Sequence, residues 1–198
     1  YNNIERKFDL TQINLNDEQQ FVYNSVISEL TTYNTHLIHG VTGSGKTLIY
    51  ISLIDKIIKS GKSVVFMVPE ISLTPQMLER FYNRYGELVA VIHSGLAPGE
   101  RADEWRKIKN SKQSVIVGTR SAVFSPVNNL GMIIIDEEHD GSYKSGTTPR
   151  YHARQVAMRI CTDKKIPLIM GSATPSVEAW QLMKEKKIQT HYLTKRLA

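Results

Sequence analysis

A chain of 198 residues is long enough for one sizeable α/β domain with a buried sheet and too short for two, and 41% hydrophobic with 22% charged residues is an ordinary globular balance. No apolar run approaches the roughly 20 residues that span a bilayer, no basic-then-apolar leader opens the chain, and a single cysteine, Cys161, excludes an internal disulfide and a zinc site built from several thiolates. The net charge of +6 mildly favours a polyanionic partner rather than a membrane, and a reducing cytoplasm is the expected location.

Residues 1–14 are polar and patternless, which reads as a linker from a preceding domain, and a start at Tyr1 rather than Met suits a piece of something longer. The domain proper is expected over 15–198. It opens with a helix over 17–30, where Asn16 as N-cap and Gln19 three residues on form a capping box. A strand over 35–39 runs into the glycine-rich turn 40–45, and a helix over 46–59 stops at Ser60-Gly61. Strands follow over 63–68, 88–92, 114–117, 132–135, 167–170 and 191–193. Helices over 75–85, 99–110, 152–162 and 177–186 separate them. Most of the strands are continuous Val, Ile, Leu or Met, the pattern of strands buried on both faces of a parallel sheet. Strand–helix alternation predicts an α/β fold with a doubly wound, mainly parallel sheet flanked by helices, which binds ligands at the carboxyl ends of its strands. Residues 139–151 form a long strandless stretch rich in Gly, Ser and Thr, and a loop of that length inside a compact domain is functional or mobile. Cys161 reads as a small, semi-buried helix residue. Lys184, Lys186, Lys187, Lys195 and Arg196 crowd the last fifteen residues and read as a solvated helix face and tail rather than a DNA contact.

Gly40, Val41, Thr42, Gly43, Ser44, Gly45, Lys46 and Thr47 fit G-x-x-x-x-G-K-[ST] in full, after an apolar strand and before an amphipathic helix. Glycines let backbone N–H groups wrap a phosphate, and the helix start adds its positive dipole end. Lys46 is then placed for the β- and γ-phosphates of ATP, and the Thr47 hydroxyl for Mg²⁺. About 90 residues further on, Asp136, Glu137, Glu138 and His139 follow the apolar strand over 132–135. Asp136 there suits Mg²⁺, and Glu137 suits orientation and deprotonation of an attacking water. Together the two halves specify a P-loop NTPase with Lys46, Asp136 and Glu137 as its catalytic set. A P-loop small-molecule kinase would have no use for the acidic box or for Gly171-Ser-Ala-Thr174. Of the six histidines, only His139 and His152 lie near this chemistry, and they suit hydrogen bonding better than metal ligation.

Asp136-Glu-Glu-His139 has the D-E-x-H form of superfamily 2 helicases, and the other strings follow that superfamily's order. They are Val68-Pro69-Glu70 with Leu73-Thr74-Pro75-Gln76, then Gly118-Thr119-Arg120-Ser121-Ala122, then Gly171-Ser172-Ala173-Thr174-Pro175. Wording and spacing resemble the PriA family of primosomal replication-restart DNA helicases, from about Leu15 to the end of the chain. The most specific part is Ser142-Tyr143-Lys144 followed by Pro149-Arg150-Tyr151-His152-Ala153-Arg154. The resemblance implies the first RecA-like lobe of a motor that couples ATP hydrolysis to 3′–5′ unwinding of forked or single-stranded DNA during replication restart. It implies a DNA phosphate at the strand-to-helix turn holding Pro69, Glu70 and Thr74, and others at Arg120 and Ser121. Ser172 and Thr174 would couple hydrolysis to DNA. Tyr143 and Tyr151 would stack on bases, with Lys144, Arg150 and Arg154 on phosphates. Gln19 would contact adenine. Each has a plainer alternative: the capping box for Gln19, a surface salt bridge for Arg120, an ST-turn and N-cap for Ser172 and Thr174, and a polar surface loop for 140–151.

By the same resemblance, the second lobe in cis with its arginine finger, a DNA 3′-end-binding domain, a winged helix and a cysteine-rich zinc region belong elsewhere in the full-length protein. Single-stranded DNA-binding protein and primosome loading proteins are the implied partners. Weak nucleotide binding and poor hydrolysis are expected of the isolated lobe. The rival readings are another superfamily 2 translocase, RecG-like or of the restriction type, and a non-catalytic RecA-like interaction module.

Overall fold

The computed structural model describes residues 11–197, and residues 1–10 of the expected linker lie outside the described residues. Six α-helices alternate with seven strands: α1 (Asp17–Ile27), β1 (Thr35–Gly40), α2 (Lys46–Lys59), β2 (Ser63–Met67), α3 (Pro75–Tyr85), β3 (Val89–Ile92), α4 (Pro98–Lys109), β4 (Val115–Gly118), β5 (Leu130–Ile135), α5 (Ala153–Lys164), β6 (Leu168–Ser172), α6 (Val177–Lys184) and β7 (Gln189–Leu193). The strands pair in the order β3-β4-β2-β5-β6-β1-β7, every pair parallel. All the elements expected from hydrophobic pattern are present.

Alternate residues of each central strand serve opposite faces of the sheet. Ile38, Val64, Phe66, Ile134 and Ile169 pack with α1, α2 and α3, whereas Leu37, Val65, Met67, Ile133, Ile135 and Met170 pack with residues of α4, α5 and α6. Cys161 lies in this second layer, and burial pushes its thiol up to about 12. On the first layer, Asp55 of α2 accepts from Arg84 Nε at 3.1 Å and from the Tyr85 hydroxyl at 2.8 Å, which ties α2 to α3. Arg84 also donates to Thr11 O at 3.0 Å, and Ile13 packs on the core, so residues 11–14 run along the domain.

The boundaries differ where turns and edges decide. Helix α1 ends at Ile27, three residues short of the expected end, and Ser28 caps it. Helix α6 stops at Lys184 because Lys186 takes φ 55°, which turns the chain toward β7. Strand β7 begins at Gln189 rather than at 191; it is an edge strand paired only with β1, so its outer residues are polar and no continuous apolar run marks it.

Candidate nucleotide-binding site

Strands β5, β6 and β1 are neighbours, with Ile135 paired to Met170 and Ser172 to His39. Their carboxyl ends therefore set three sequence-distant segments side by side: the Asp136 box, Gly171-Ser172, and the loop after Gly40.

In that loop, Ser44 N donates to Val41 O at 3.0 Å and closes a tight turn, with Val41, Thr42 and Gly43 exposed. Gly43 and Gly45 take φ of 83° and 84°, a left-handed backbone that glycine adopts without steric cost. Gly45 is confined further, since a Cβ there would stand 2.1 Å from Gln19 Nε2. A Cβ on Gly40 would meet Ser44 Oγ at 2.5 Å. Helix α2 has no side-chain capping hydrogen bond at its amino end, where Gly45 is the N-cap. Its first amides thus carry the positive end of the helix dipole without a side-chain acceptor. Ser44 Oγ is buried without a hydrogen-bond partner. Lys46, 7% exposed, folds back over the loop and donates from Nζ to Gly40 O at 2.6 Å. Bare backbone, an unpaired hydroxyl, an uncapped helix and the Lys46 ammonium are the donor set of a phosphate cradle, and they fit the triphosphate of ATP.

Asp136 follows β5. Tyr50, four residues past Lys46 on α2 and fully buried, donates its hydroxyl to Asp136 Oδ1 at 2.9 Å. Gly171 closes this contact from β6: a Cβ there would stand 1.6 Å from Tyr50 Oη and 3.2 Å from Asp136 Oδ1. Burial raises the Asp136 pKa, while the Tyr50 hydrogen bond and the Lys46 charge pull it back. The partly buried Thr47, beside Lys46 at the start of α2, and the oriented Asp136 carboxylate make an oxygen donor set that fits Mg²⁺.

The two glutamates that follow have different environments. Glu137 has φ 49°, an uncommon value for a side chain of its size. Its Oε2 lies 3.5 Å from His139 Nε2. His139 Nδ1 is 2.7 Å from Ser172 Oγ, which accepts the Thr174 amide at 3.1 Å. With the imidazole proton on Nε2, Ser172 donates to Nδ1, and the Glu137 carboxylate faces the opposite edge of the ring. Glu138 points into the protein, 1% exposed. It accepts from Ser176 N and Ser176 Oγ, each at 2.8 Å, and from Arg154 Nη1 at 3.0 Å. It therefore pins the N-cap of α6 to the first turn of α5.

The residues expected to meet DNA divide. Pro69 is buried, Glu70 is exposed, and Thr74 caps α3 by accepting from Met77 N at 3.2 Å. Ile71 between them, 84% exposed, was not singled out from sequence. Arg120 forms no salt bridge among the described residues; it donates to Ser142 O at 3.0 Å and to Lys144 O at 3.1 Å, clamping the 139–151 loop. Its guanidinium lies 6.0 Å from the Tyr151 ring centroid, and Phe124 meets the same ring edge-on at 4.9 Å. Ser121 Oγ is buried and unpartnered. Lys144 pairs with His152 as an isolated bridge, and Ser145 N donates to Tyr151 O at 2.8 Å, so the exposed tip 146–150, with Arg150, is held at its base.

Two expectations need correction. Tyr143 offers no free π-face: it is 1% exposed, and its hydroxyl donates to Met67 O and Asp136 O, because the aromatic ring fills the second core layer under the ends of β2 and β5. Arg154 is not open to a phosphate, since its buried guanidinium neutralises Glu138. Gln19 is 1% exposed, its Oε1 in the capping box and its Nε2 against Ser44 O and Gly45 O, so it supports the loop from beneath. His152 caps α5, accepting the Arg154 amide at 3.1 Å. The sequence reading missed Tyr50 and the structural role of Glu138. Tyr50 lies in an amphipathic helix, where an aromatic residue is indistinguishable from ordinary core.

The geometry agrees with three comparisons. The family described as type III restriction enzyme, res subunit, matches residues 12–177. The chain is 47% identical over 184 residues to replication restart protein PriA of Treponema pallidum, covering 93% of this chain and 28% of that protein. With the PriA of Bacillus subtilis the identity is 51% over 168 residues, covering 84% of this chain and 21% of the relative. It thus spans about a quarter of the length of these relatives. In structure it resembles RecG bound to a three-way DNA junction, with TM-score 0.67 and 21% identity over 95% of this chain and 25% of that one. The helicase domain of Pyrococcus furiosus Hef gives TM-score 0.61 and 20% identity over 89% of this chain and 37% of that one. These two likenesses show a shared fold. The chain belongs to the family described as the res subunit of type III restriction enzymes, and its sequence is similar to the matching part of PriA replication restart proteins.

Proposed function

We propose that the chain is the ATP-binding lobe of a superfamily 2 DNA motor that unwinds or translocates on forked DNA in replication restart, as the PriA likeness suggests, with 3′–5′ polarity. Single-stranded DNA-binding protein and primosome loading proteins are its proposed partners, and the cytoplasm its proposed place. The observation that carries this reading is the convergence of Lys46, Asp136, Glu137, His139 and Ser172 on three adjacent strand ends.

Mg·ATP, when bound, supplies the transferable phosphoryl group and the cation that neutralises its charge. The loop amides and Lys46 would hold the phosphates, and Thr47 and Asp136 would hold the metal. Glu137 orients a water and takes its proton, and His139 with Ser172 relays the state of that carboxylate toward the segment after β6. Backbone phosphates of DNA meet the exposed turn after β2 and the tip of the 139–151 loop, through contacts that carry no sequence preference. Zinc belongs, by the same likeness, to another part of the longer protein.

Two expected results arise directly. Tyr50→Phe removes the hydrogen bond that aims Asp136 while keeping the ring in the core. The Mg²⁺ concentration needed for half-maximal ATP affinity, read by calorimetry, should rise several-fold with the melting temperature little changed; an unaltered Mg²⁺ dependence would mean that Tyr50 does not position Asp136. Arg120→Ala or Tyr151→Ala loosens the loop base. In the longer protein that includes the second lobe, either variant should lower DNA stimulation of ATPase at least ten-fold while basal hydrolysis and ATP affinity stay near the parent values. Equal loss of basal and stimulated rates would show that the loop serves only folding.

A further inference from the structure

The end of the sheet opposite the nucleotide site carries a charge pattern that the motor reading does not use. Four connections lead from a helix back into a strand there with lysines at each: α2 to β2, α4 to β4, α5 to β6 and α6 to β7. A lysine in the last turn of a helix has an ordinary explanation, since it complements the helix dipole. That covers Lys59, Lys109, Lys164 and Lys184, but not Lys62, Lys165 and Lys186, which lie beyond the helix ends. Lys165 and Lys186 moreover have φ of 53° and 55°, backbone positions where glycine or asparagine is the favoured residue. Lysine sits there against local preference.

Strand order sets these groups in a row. The amino ends of β4, β2, β5, β6, β1 and β7 follow one another across the sheet, and at about 4.8 Å per strand the row is roughly 24 Å long. Within it, Lys62, Lys164 and Lys165 line an open recess of about 340 Å³ with Asn128, Asn129 and Thr31. The carboxylates at this end are Glu29, Glu87, Asp163 and Glu185. Asp163 pairs with Arg159 and Glu185 with Lys187, while Glu29 accepts from Asn34 and Gln189. Among the described residues no ion pair neutralises Lys62, Lys164, Lys165 or Lys186. None of the exposed large apolar side chains lies in these connections. The surface therefore lacks both the apolar centre of a protein interface and the aromatic platforms that hold single strands. A row of lysines without ion-pair partners suits the regular charge of a duplex, about one phosphate per 1.7 Å of helix axis.

We propose that this end of the sheet binds the phosphate backbone of double-stranded nucleic acid, as a sequence-independent anchor on the face away from the nucleotide. The proposal rests on these lysines and does not need the nucleotide site to be active. Its test is the binding of a fluorescent 20-base-pair duplex to the 198-residue chain over a series of salt concentrations. The variant Lys62→Gln, Lys164→Gln, Lys165→Asn, Lys186→Asn should bind about ten-fold or more weaker at low salt, with the slope of log K against log salt reduced by about 3. The matching four-fold arginine variant should bind like the parent, which separates lost charge from lost folding. A parent-like slope in the glutamine–asparagine variant, or arginine failing to restore binding in a protein with a parent-like circular dichroism spectrum, would overturn the proposal. Lysine-dependent binding of polyglutamate without lysine-dependent binding of duplex would also overturn it, in favour of an acidic protein partner.

Discussion

Glutamine at position 137 will leave Mg·ATP bound about as tightly as in the parent and slow its turnover by about 10²–10⁴-fold, the usual effect of losing a positioned general base. Such turnover belongs to the longer protein of which, as proposed, this chain is one lobe, so single-turnover hydrolysis there is the measurement. Glu137→Gln keeps the size and polarity of the side chain and its place beside His139, so binding has no reason to change. The neighbouring Glu138 makes the comparison sharp. Its carboxylate is buried against Arg154 and Ser176, and breaking a buried ion pair by removing one charge costs about 3–5 kcal/mol. Glu138→Gln should therefore lower the melting temperature markedly and lose activity only in proportion to folded protein. If Glu138→Gln stays stable and loses turnover while Glu137→Gln keeps it, the base has been assigned to the wrong carboxylate.

The chain of 198 residues by itself should hydrolyse ATP about 10³–10⁵-fold more slowly than a protein that joins it to the second lobe, because an arginine finger supplies a factor of that size in P-loop enzymes. Several arginines are already committed to partners within the lobe. Arg120 is tied to the 139–151 loop, Arg84 to Asp55 and Arg154 to Glu138. Addition of single-stranded DNA should not rescue the lobe, whereas fusing the second lobe should restore DNA-stimulated turnover. Robust DNA-stimulated hydrolysis by residues 1–198, abolished by Lys46→Ala to exclude a contaminant, would contradict a site divided between two lobes.

Much of this architecture is legible in local pattern. The buried strands announce themselves as apolar runs because both faces of the sheet are covered, and the phosphate loop does so because its backbone tolerates few residue types at Gly40 and Gly45. What local pattern conceals is direction and partnership. Nothing near Tyr143 tells whether its ring faces solvent or core; its hydroxyl partner Met67 O is 76 residues away. Tyr50 and Asp136 are 86 residues apart and Glu138 and Ser176 are 38 apart, and only the order β5-β6-β1 brings such groups together. The box Asp136-Glu-Glu-His139 shows that carboxylates gather at a strand end. The backbone at Glu137 and the buried pocket around Glu138 then divide them into one that lies beside His139 and one that holds helices.

The most direct measurement is isothermal calorimetry of Mg·ATP with the 198-residue chain and with Lys46→Ala. The parent should bind with a dissociation constant on the order of tens of micromolar, about −6 kcal/mol, weak because one lobe covers only one side of the nucleotide. Lys46→Ala, folded to the same extent by circular dichroism, should show no measurable heat at the same concentrations. Equal affinity in the two proteins would contradict the assignment of the loop from Gly40 to Thr47 as the phosphate cradle.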